Sequence, residues 1–339
     1  MGVPFSTSKH HATPCQSQSH LALTPNYSGS VSNDPLDLEF QILNAFTTDV
    51  FGGNPAVIIF LKDEMPPDDL LERINANFNQ PIVVYISPPT STSSPKEGSA
   101  VFGLRWFGPR NEVHICGHGT LAAAEAIFRQ LDPAKNVTTL EFETLSGTLT
   151  AHRVGEQIMM ELPAGTTVPA STNETAVVQD VFARALGKAS VDINYIGYGG
   201  PGFSNYLLVE VDAAESLGEW RPDVDCFAEL APRTQILVVT SASRAEGIAY
   251  ETRMFAPSIG VREDHVCGSA HCLNAPYWAV KAQDADGEYT AGKPQHAKAV
   301  SVRGGDIWAA YFAAAGRVRI RGDVKRVAVG TLELGDVVG

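Results

Sequence analysis

One pattern occurs twice in this chain, and no other feature constrains its fold as much. Arg105-Trp106-Phe107-Gly108-Pro109 leads to Val113-His114-Ile115-Cys116-Gly117-His118-Gly119-Thr120. Arg253-Met254-Phe255-Ala256-Pro257 leads to Asp264-His265-Val266-Cys267-Gly268-Ser269-Ala270-His271. Two Arg-x-Phe-x-Pro stretches, each followed by a Cys-Gly helix start, describe a duplicated α/β unit in which each half places one thiol. If the halves face each other, the thiols bracket one substrate. With 339 residues, 44% of them hydrophobic, the chain can bury two ordinary cores.

The organisation along the chain fits that doubling. Residues 1–36 are rich in Ser, Thr, Pro and His and lack apolar periodicity, so they read as a flexible tail. A transit peptide is a weaker reading of this stretch, which holds Lys9 and no Arg. From Leu38 onward, short branched and aromatic runs predict strands at Phe40–Phe46, Ala56–Leu61, Ile82–Ile86 and Ala100–Phe107. Further strands are expected at 139–142, 158–161, 206–211, 235–239, 248–255, 300–302, 308–312, 318–320 and 327–329. Pro66-Pro67 before Asp68-Asp69 marks a helix start, and a third helix is expected over Val177–Leu186. The runs after the two cysteines, Thr120–Phe128 and Ala270–Val280, are apolar nearly all round, so both helices should sit inside something. Trp106, Tyr277 and Trp278 are expected in the core.

Charge and cysteine usage narrow the function classes. The formal charge of −13 repels nucleic acid and anionic membranes. No run reaches the roughly 18 apolar residues of a membrane helix, and no signal peptide is recognisable. A soluble, cytoplasmic protein is expected. Five cysteines are a sparse, odd set for a secreted disulfide framework, so reduced thiols are the default.

A cysteine at a helix N-terminus meets unpaired amides and the positive end of the helix dipole, both of which favour thiolate. Two such thiols on opposite faces of a substrate make a two-base device: one removes a carbon-bound proton, the other delivers one, and the centre inverts. The amides of Gly117, His118 and Gly119, and of Gly268, Ser269 and Ala270, are placed to hold a carboxylate. The expected ligand is therefore a small-molecule carboxylate.

The Phe51-Gly52-Gly53-Asn54-Pro55 turn, the Cys-Gly-His-Gly-Thr start and the Glu263-Asp264-x-x-x-Gly268-Ser269-Ala270 element together resemble the PhzF-like (phenazine biosynthesis) isomerase family. That family shares its fold with diaminopimelate epimerase and proline racemase. The resemblance spans about residue 38 to the end. It implies an α/β fold of two pseudo-symmetric domains, each a sheet curled around a central helix, with the active site between them. On this chain the domains fall at 37–163, completed by a C-terminal strand at about 325–339, and at 164–324. It also implies an isomerase of secondary metabolism that needs no cofactor, and leaves a homodimer open. One departure matters: where the family's Asn-Leu-Ser-Glu segment carries a proton-shuttling glutamate, this chain has Asn77-Phe78-Asn79-Gln80, and an amide does not titrate near neutral pH. Cys116 and Cys267 instead stand where the epimerase and racemase carry their catalytic pair. The expected site is thus Cys116 and Cys267 as catalytic residues, with Asn54, Gln80, Gly117, His118, Gly119, Asp264, Gly268, Ser269 and Ala270 binding substrate.

Alternatives stay open at this stage. The thiols could be buried packing residues, as Cys272 is expected to be. The His114, Cys116, His118 and His265, Cys267, His271, Cys272 groupings mix zinc ligands, although alternate strand residues point apart and no metal is expected. Asp264 could simply cap the second helix. Among functions, racemisation or epimerisation leads. Behind it stand cis-trans isomerisation by thiolate addition to a conjugated double bond, a proton shift using His118 and Asp264, and non-enzymatic binding of a small molecule.

Overall fold

The computed structural model describes residues 37–63, 65–90, 95–109, 111–286 and 292–334. The expected tail, residues 1–36, and the last residues of the expected C-terminal segment, 335–339, lie outside the described residues. In chain order the first half contains β1 (Leu38–Ala45), β2 (Asn54–Phe60), α1 (Asp68–Phe78), β3 (Val83–Ser87), β4 (Ser99–Phe107), β5 (Glu112–Val113), α2 (Gly117–Gln130), β6 (Thr139–Thr144), β7 (Gly147–Val154) and β8 (Gln157–Pro163). The second contains β9 (Thr167–Pro169), α3 (Thr172–Leu186), β10 (Ile193–Gly199), β11 (Tyr206–Val211), β12 (Ile236–Ala242), β13 (Tyr250–Ala256), β14 (Val261–Asp264), α4 (His271–Asp286), β15 (Gln295–Ala299), β16 (Gly305–Phe312), β17 (Arg317–Gly322) and β18 (Val324–Leu332).

The repeat in the sequence is a repeat of topology. In the first half β1–β2 is antiparallel, β2–β3 parallel, β3–β4 antiparallel, β4–β6 parallel, and β6–β7 and β7–β8 antiparallel. The second half gives the same succession through β10, β11, β12, β13, β15, β16 and β17. The short strands β5 and β14 fold back on β4 and β13. β8 pairs with β17 where the halves join; the chain then continues into β9, which lies on β10, and into β18, which lies on β1. Parallel neighbours need a crossover, and the two crossovers that follow β4 and β13 contain α2 and α4. Both cysteine-headed helices are therefore the elements that the curled sheets must cover.

Their sequences suit that place. Every residue of α2 from His118 to Ile127 is buried, and the one charge among them, Glu125, is held by Arg129 at 2.6 Å and Arg153 at 2.8 Å. In α4, Pro276 has no N–H for the Cys272 carbonyl, the usual cost of an interior proline. The Gly165 amide, from the β8–β9 connection, fills that vacancy at 2.8 Å. Gly165 must be glycine for this approach, because a methyl group there would lie 2.6 Å from Leu273 and 2.7 Å from Phe203.

The strand expected at Val300–Val302 is a bend. The ladder ends at Ala299, Val302 is 81% exposed, and Gly304 turns the chain with φ +65°. The strand instead lies just before it, at β15, where Ala297 and Ala299 are buried by pairing with β13 and β16 rather than by intrinsic β-propensity. Trp106 and Trp278 are core residues, while Tyr277 is half-buried. Among the described residues no helix is long and apolar enough to cross a membrane.

Candidate active site

The repeated arginines anchor the straps that carry the thiols. Arg105 on β4 donates from Nε and Nη2 to the two carboxylate oxygens of Glu112, at 2.7 and 2.6 Å. Arg253 on β13 does the same to Glu263, at 2.7 and 2.9 Å. Such forked pairs fix orientation as well as distance. Each guanidinium also lies about one ring-width over the phenylalanine two residues on, 5.1 Å from Phe107 and 5.0 Å from Phe255. Each glutamate precedes its cysteine by four positions, so the repeat extends to Glu-x-His-x-Cys-Gly. A second tie recurs as well: Ser146 Oγ donates to the His114 carbonyl at 2.7 Å, and Ser301 Oγ to the His265 carbonyl at 2.8 Å. Neither serine carries a motif that marks it in the sequence.

Cys116 has an extended backbone and stands immediately before α2. Cys267 precedes a turn over Gly268–Ala270 that feeds α4. Both thiols are buried and free. The two starts meet: a methyl group placed on Gly117 would sit 3.5 Å from the Gly268 Cα. Glycine at both positions lets the backbones approach this closely. Each thiol faces the residue two positions on. Cys116 Sγ lies 3.4 Å from His118 Nδ1, and Cys267 Sγ lies 3.3 Å from Ser269 Oγ. Tyr206 OH donates to the same Ser269 Oγ at 3.1 Å. Gly119 gives the Cys116 sulfur room, since a methyl there would lie 3.2 Å from Sγ.

Asn54, at the start of β2, crosses to the second half. Its Nδ2 donates to Asp264 Oδ1 at 2.5 Å and to the Val266 carbonyl at 3.2 Å, while its buried Oδ1 has no partner. Asp264 Oδ1 also accepts the Val266 amide at 3.3 Å. Asp264 is thus not the cap of α4, which starts seven residues later; it braces the strap and meets Asn54. Cys116, Cys267, Gly117, Gly268, His118, Ser269, Gly119, Ala270, Asp264 and Asn54 share this one region. Gln80 stands apart in the bonding scheme: it is half-buried in the α1–β3 connection, with no side-chain hydrogen bond to any of them.

Burial opposes the thiolate that the helix starts were expected to favour. Burial pushes the Cys116 thiol up to about 12, with the Asp264 charge adding to it; the amides of Gly119 and His118 pull the other way and lose. Cys267 is raised well above its ordinary value by burial and then by Asp264, against the pull of Ser269 and the Ala270 amide. Desolvation of an anion outweighs a half-charge dipole when no counter-charge is present. Burial likewise holds His118 below its ordinary value, with Asp264 opposing, so the neutral imidazole is favoured and its affinity for a proton is reduced. Among the described residues no three His, Cys, Asp or Glu side chains are placed to hold a metal ion. His114 is exposed and His271 is buried with Nδ1 2.8 Å from the Tyr250 hydroxyl.

The profile of the phenazine biosynthesis-like protein family, PhzC-PhzF, matches residues 43–327. The chain belongs to this family. An uncharacterized isomerase of Pseudomonas aeruginosa is 33% identical over 300 residues, covering 88% of this chain and 100% of its own. The human phenazine biosynthesis-like domain-containing protein is 32% identical over 307 residues, covering 88% and 99%. Among solved structures, a PhzF-family protein of Enterococcus faecalis superposes with a TM-score of 0.71 at 25% identity, over 88% of this chain and 100% of that one. A probable proline racemase of Agrobacterium radiobacter, at 13% identity and a TM-score of 0.53 over 88% and 93%, shares the fold. This PhzF-family chain is an isomerase with an α/β fold related to that of the racemases.

Proposed function

We propose that this PhzF-family isomerase is a racemase or epimerase of a small carboxylate, working by proton transfer between Cys116 and Cys267 in the cleft between the halves 37–163 and 164–324. The observation that carries the reading is the meeting of the Cys116-headed start of α2, at Gly117, with the turn that leads from Cys267 into α4, at Gly268; the second cysteine stands four residues before its helix rather than at its head. In the forward direction Cys116 first gives its proton to His118 Nδ1, an uphill step because burial raises the thiol and depresses the imidazole, and the thiolate so formed, a strong base, removes the proton from the carbon beside the substrate carboxylate. The electron pair moves into the carboxylate, whose growing charge the helix-start amides stabilise. Cys267 then delivers its proton to the opposite face. The substrate leaves inverted, with Cys116 protonated, Cys267 ionised and His118 charged, and the proton on His118 returns to Cys267 through solvent. No bound cofactor is required in this scheme. Asp264 and the unpaired Asn54 Oδ1 are both acceptors, which suits a substrate whose α-substituent donates, such as an amine or hydroxyl.

A panel of enantiopure α-amino and α-hydroxy acids, incubated with the protein in D₂O, tests this by NMR and chiral chromatography. Deuterium at the α-carbon together with formation of the antipode is the expected result. A trapped thioether with no deuterium in the product contradicts it and favours addition to a double bond.

The raised thiols give a second reading its support. With burial favouring the protonated form of both sulfurs, His118 beside Cys116 and Asp264 beside Asn54 are the other candidates to move a proton, as in a proton-shift isomerase. Under that reading Cys116→Ser and Cys267→Ser keep activity while His118→Gln loses it.

A further inference from the structure

The turn between β15 and β16 touches both the strap of the second thiol and the opposite half of the molecule. Ser301 Oγ holds the His265 carbonyl at 2.8 Å, and the Gly304 amide closes the turn on Ser301 Oγ at 3.1 Å. Arg303 reaches across to the β1–β2 turn, where Nε donates to the Gly53 carbonyl at 2.8 Å and Nη2 to the Gly52 carbonyl at 2.9 Å. The Gly53 amide returns a bond to the Gly304 carbonyl at 2.8 Å. Gly53 has φ +68°, and a methyl there would run to 2.4 Å from the Ala45 carbonyl, so this turn admits one shape. The next residue is Asn54, which meets Asp264 and the Val266 carbonyl.

We infer that Arg303 is a positioning residue for the second thiol: by gripping the Gly52-Gly53 carbonyls it sets the angle at which Asn54 holds Asp264 and the strap of Cys267. The β1–β2 ladder runs to Ala45 and Asn54 without it, and the fork, which comes from the β15–β16 turn, ties the hairpin turn to the second half. A planar fork on two successive carbonyls specifies orientation in a way that a single ammonium does not. The equivalent β6–β7 turn has the serine tie, and the side-chain bonds of Thr144 and Ser146 stay within the first half. Among the described residues Thr144 and Ser146 of this turn form no fork like that of Arg303, and the two thiols are held unequally. The role matters for catalysis only if Cys267 and Asp264 face substrate as proposed above, but the geometry can be tested without any substrate.

The test is alkylation by iodoacetamide at one pH, with the adducts at Cys116 and Cys267 resolved by mass spectrometry. In Arg303→Met, Cys267 should react at least about tenfold faster, the factor that one lost hydrogen bond to a charged group corresponds to, while Cys116 stays within about twofold. Arg303→Lys, which keeps the charge and one bond, should recover part of the protection. In an Asn54→Ala background Arg303→Met should add nothing, because its effect passes through Asn54. Equal acceleration of both thiols, no change at Cys267, or full additivity with Asn54→Ala overturns the assignment. If Arg303→Met fails to fold, Arg303→Lys carries the test, with a smaller rise confined to Cys267 and abolished in the Asn54→Ala background expected, and a rise shared by both thiols or additive with Asn54→Ala overturning it. A rise confined to Cys267 in a protein that exchanges no α-proton overturns the racemase reading alone.

Discussion

Replacing Cys116 by alanine should make the protein lose less stability in alkali, by an amount that follows from the burial of the thiol. In the unfolded chain the thiol has its ordinary value of 9.0, and in the fold it is pushed up to about 12. Between those values the folded state binds more protons than the unfolded state, so stability falls as pH rises from about 9. At about pH 10 the unfolded thiol is some nine-tenths ionised and the folded one is neutral, a difference of about 1.4 kcal/mol, nearly all of it absent at pH 8. Cys272, also pushed up to about 12 by burial, contributes a loss of the same size, and Cys267 one of the same sign. Urea unfolding under reducing conditions at pH 8 and pH 10 gives the two stabilities for each protein. The packing cost of the substitution is common to both pH values and cancels. The wild type should lose about 1.4 kcal/mol more than Cys116→Ala over this interval. A larger loss in the variant would refute the reasoning, because it would put the folded thiol below 9.0 and make the helix amides stronger than burial.

Three other outcomes follow from the same contacts. Arg253→Met strands Glu263 in a pair whose side chains are only 4% and 15% exposed, so a loss of about 3–5 kcal/mol is expected in urea titrations, with Arg105→Met, at a wetter site, costing clearly less. Gly165→Ala drives a methyl group into Leu273 and Phe203 and should destabilise by about 1–3 kcal/mol in the same assay, with α4 losing protection in hydrogen exchange. Asn54→Ala removes the donor between Asp264 and the Val266 carbonyl; about 1–3 kcal/mol of stability should go with it, together with most of the turnover on any substrate found, whereas unchanged turnover would remove Asn54 from the site.

The fold was legible where the chain repeats itself. Arg105 and Arg253 flagged the doubled strands, and the apolar runs after Cys116 and Cys267 flagged two covered helices, because a helix without a polar face has to be buried. Strands β7, β9 and β10 were not expected either, and one missed element owes its conformation to its neighbours. Gln295–Ala299 has little β-propensity and is a strand because β13 and β16 flank it, whereas the branched residues Val300 and Val302 lie at a bend dictated by Ser301 and Gly304. Within the site, the cysteines, glycines, His118, Ser269, Asp264 and Asn54 could be named from sequence because they sit in short motifs. Ser146, Ser301 and Arg303 could not, since each acts on a backbone carbonyl supplied by a distant segment. The opposing effect of burial on the thiols is hidden from the sequence for a related reason. A helix start is visible in sequence, while the dryness of the space around it depends on residues such as Phe46 and Ile320, which close on Gly268 from elsewhere in the chain.

The central claim is that two thiols act on opposite faces of one carbon. It is tested most directly by measuring α-proton exchange and antipode formation in D₂O for the wild type, Cys116→Ser and Cys267→Ser on the same enantiopure carboxylate. Each serine variant should lose antipode formation by at least about a thousandfold, because a hydroxyl is a far weaker acid than a thiol and so neither ionises to the required base nor gives up a proton as readily. Full interconversion by either variant would contradict the two-thiol account.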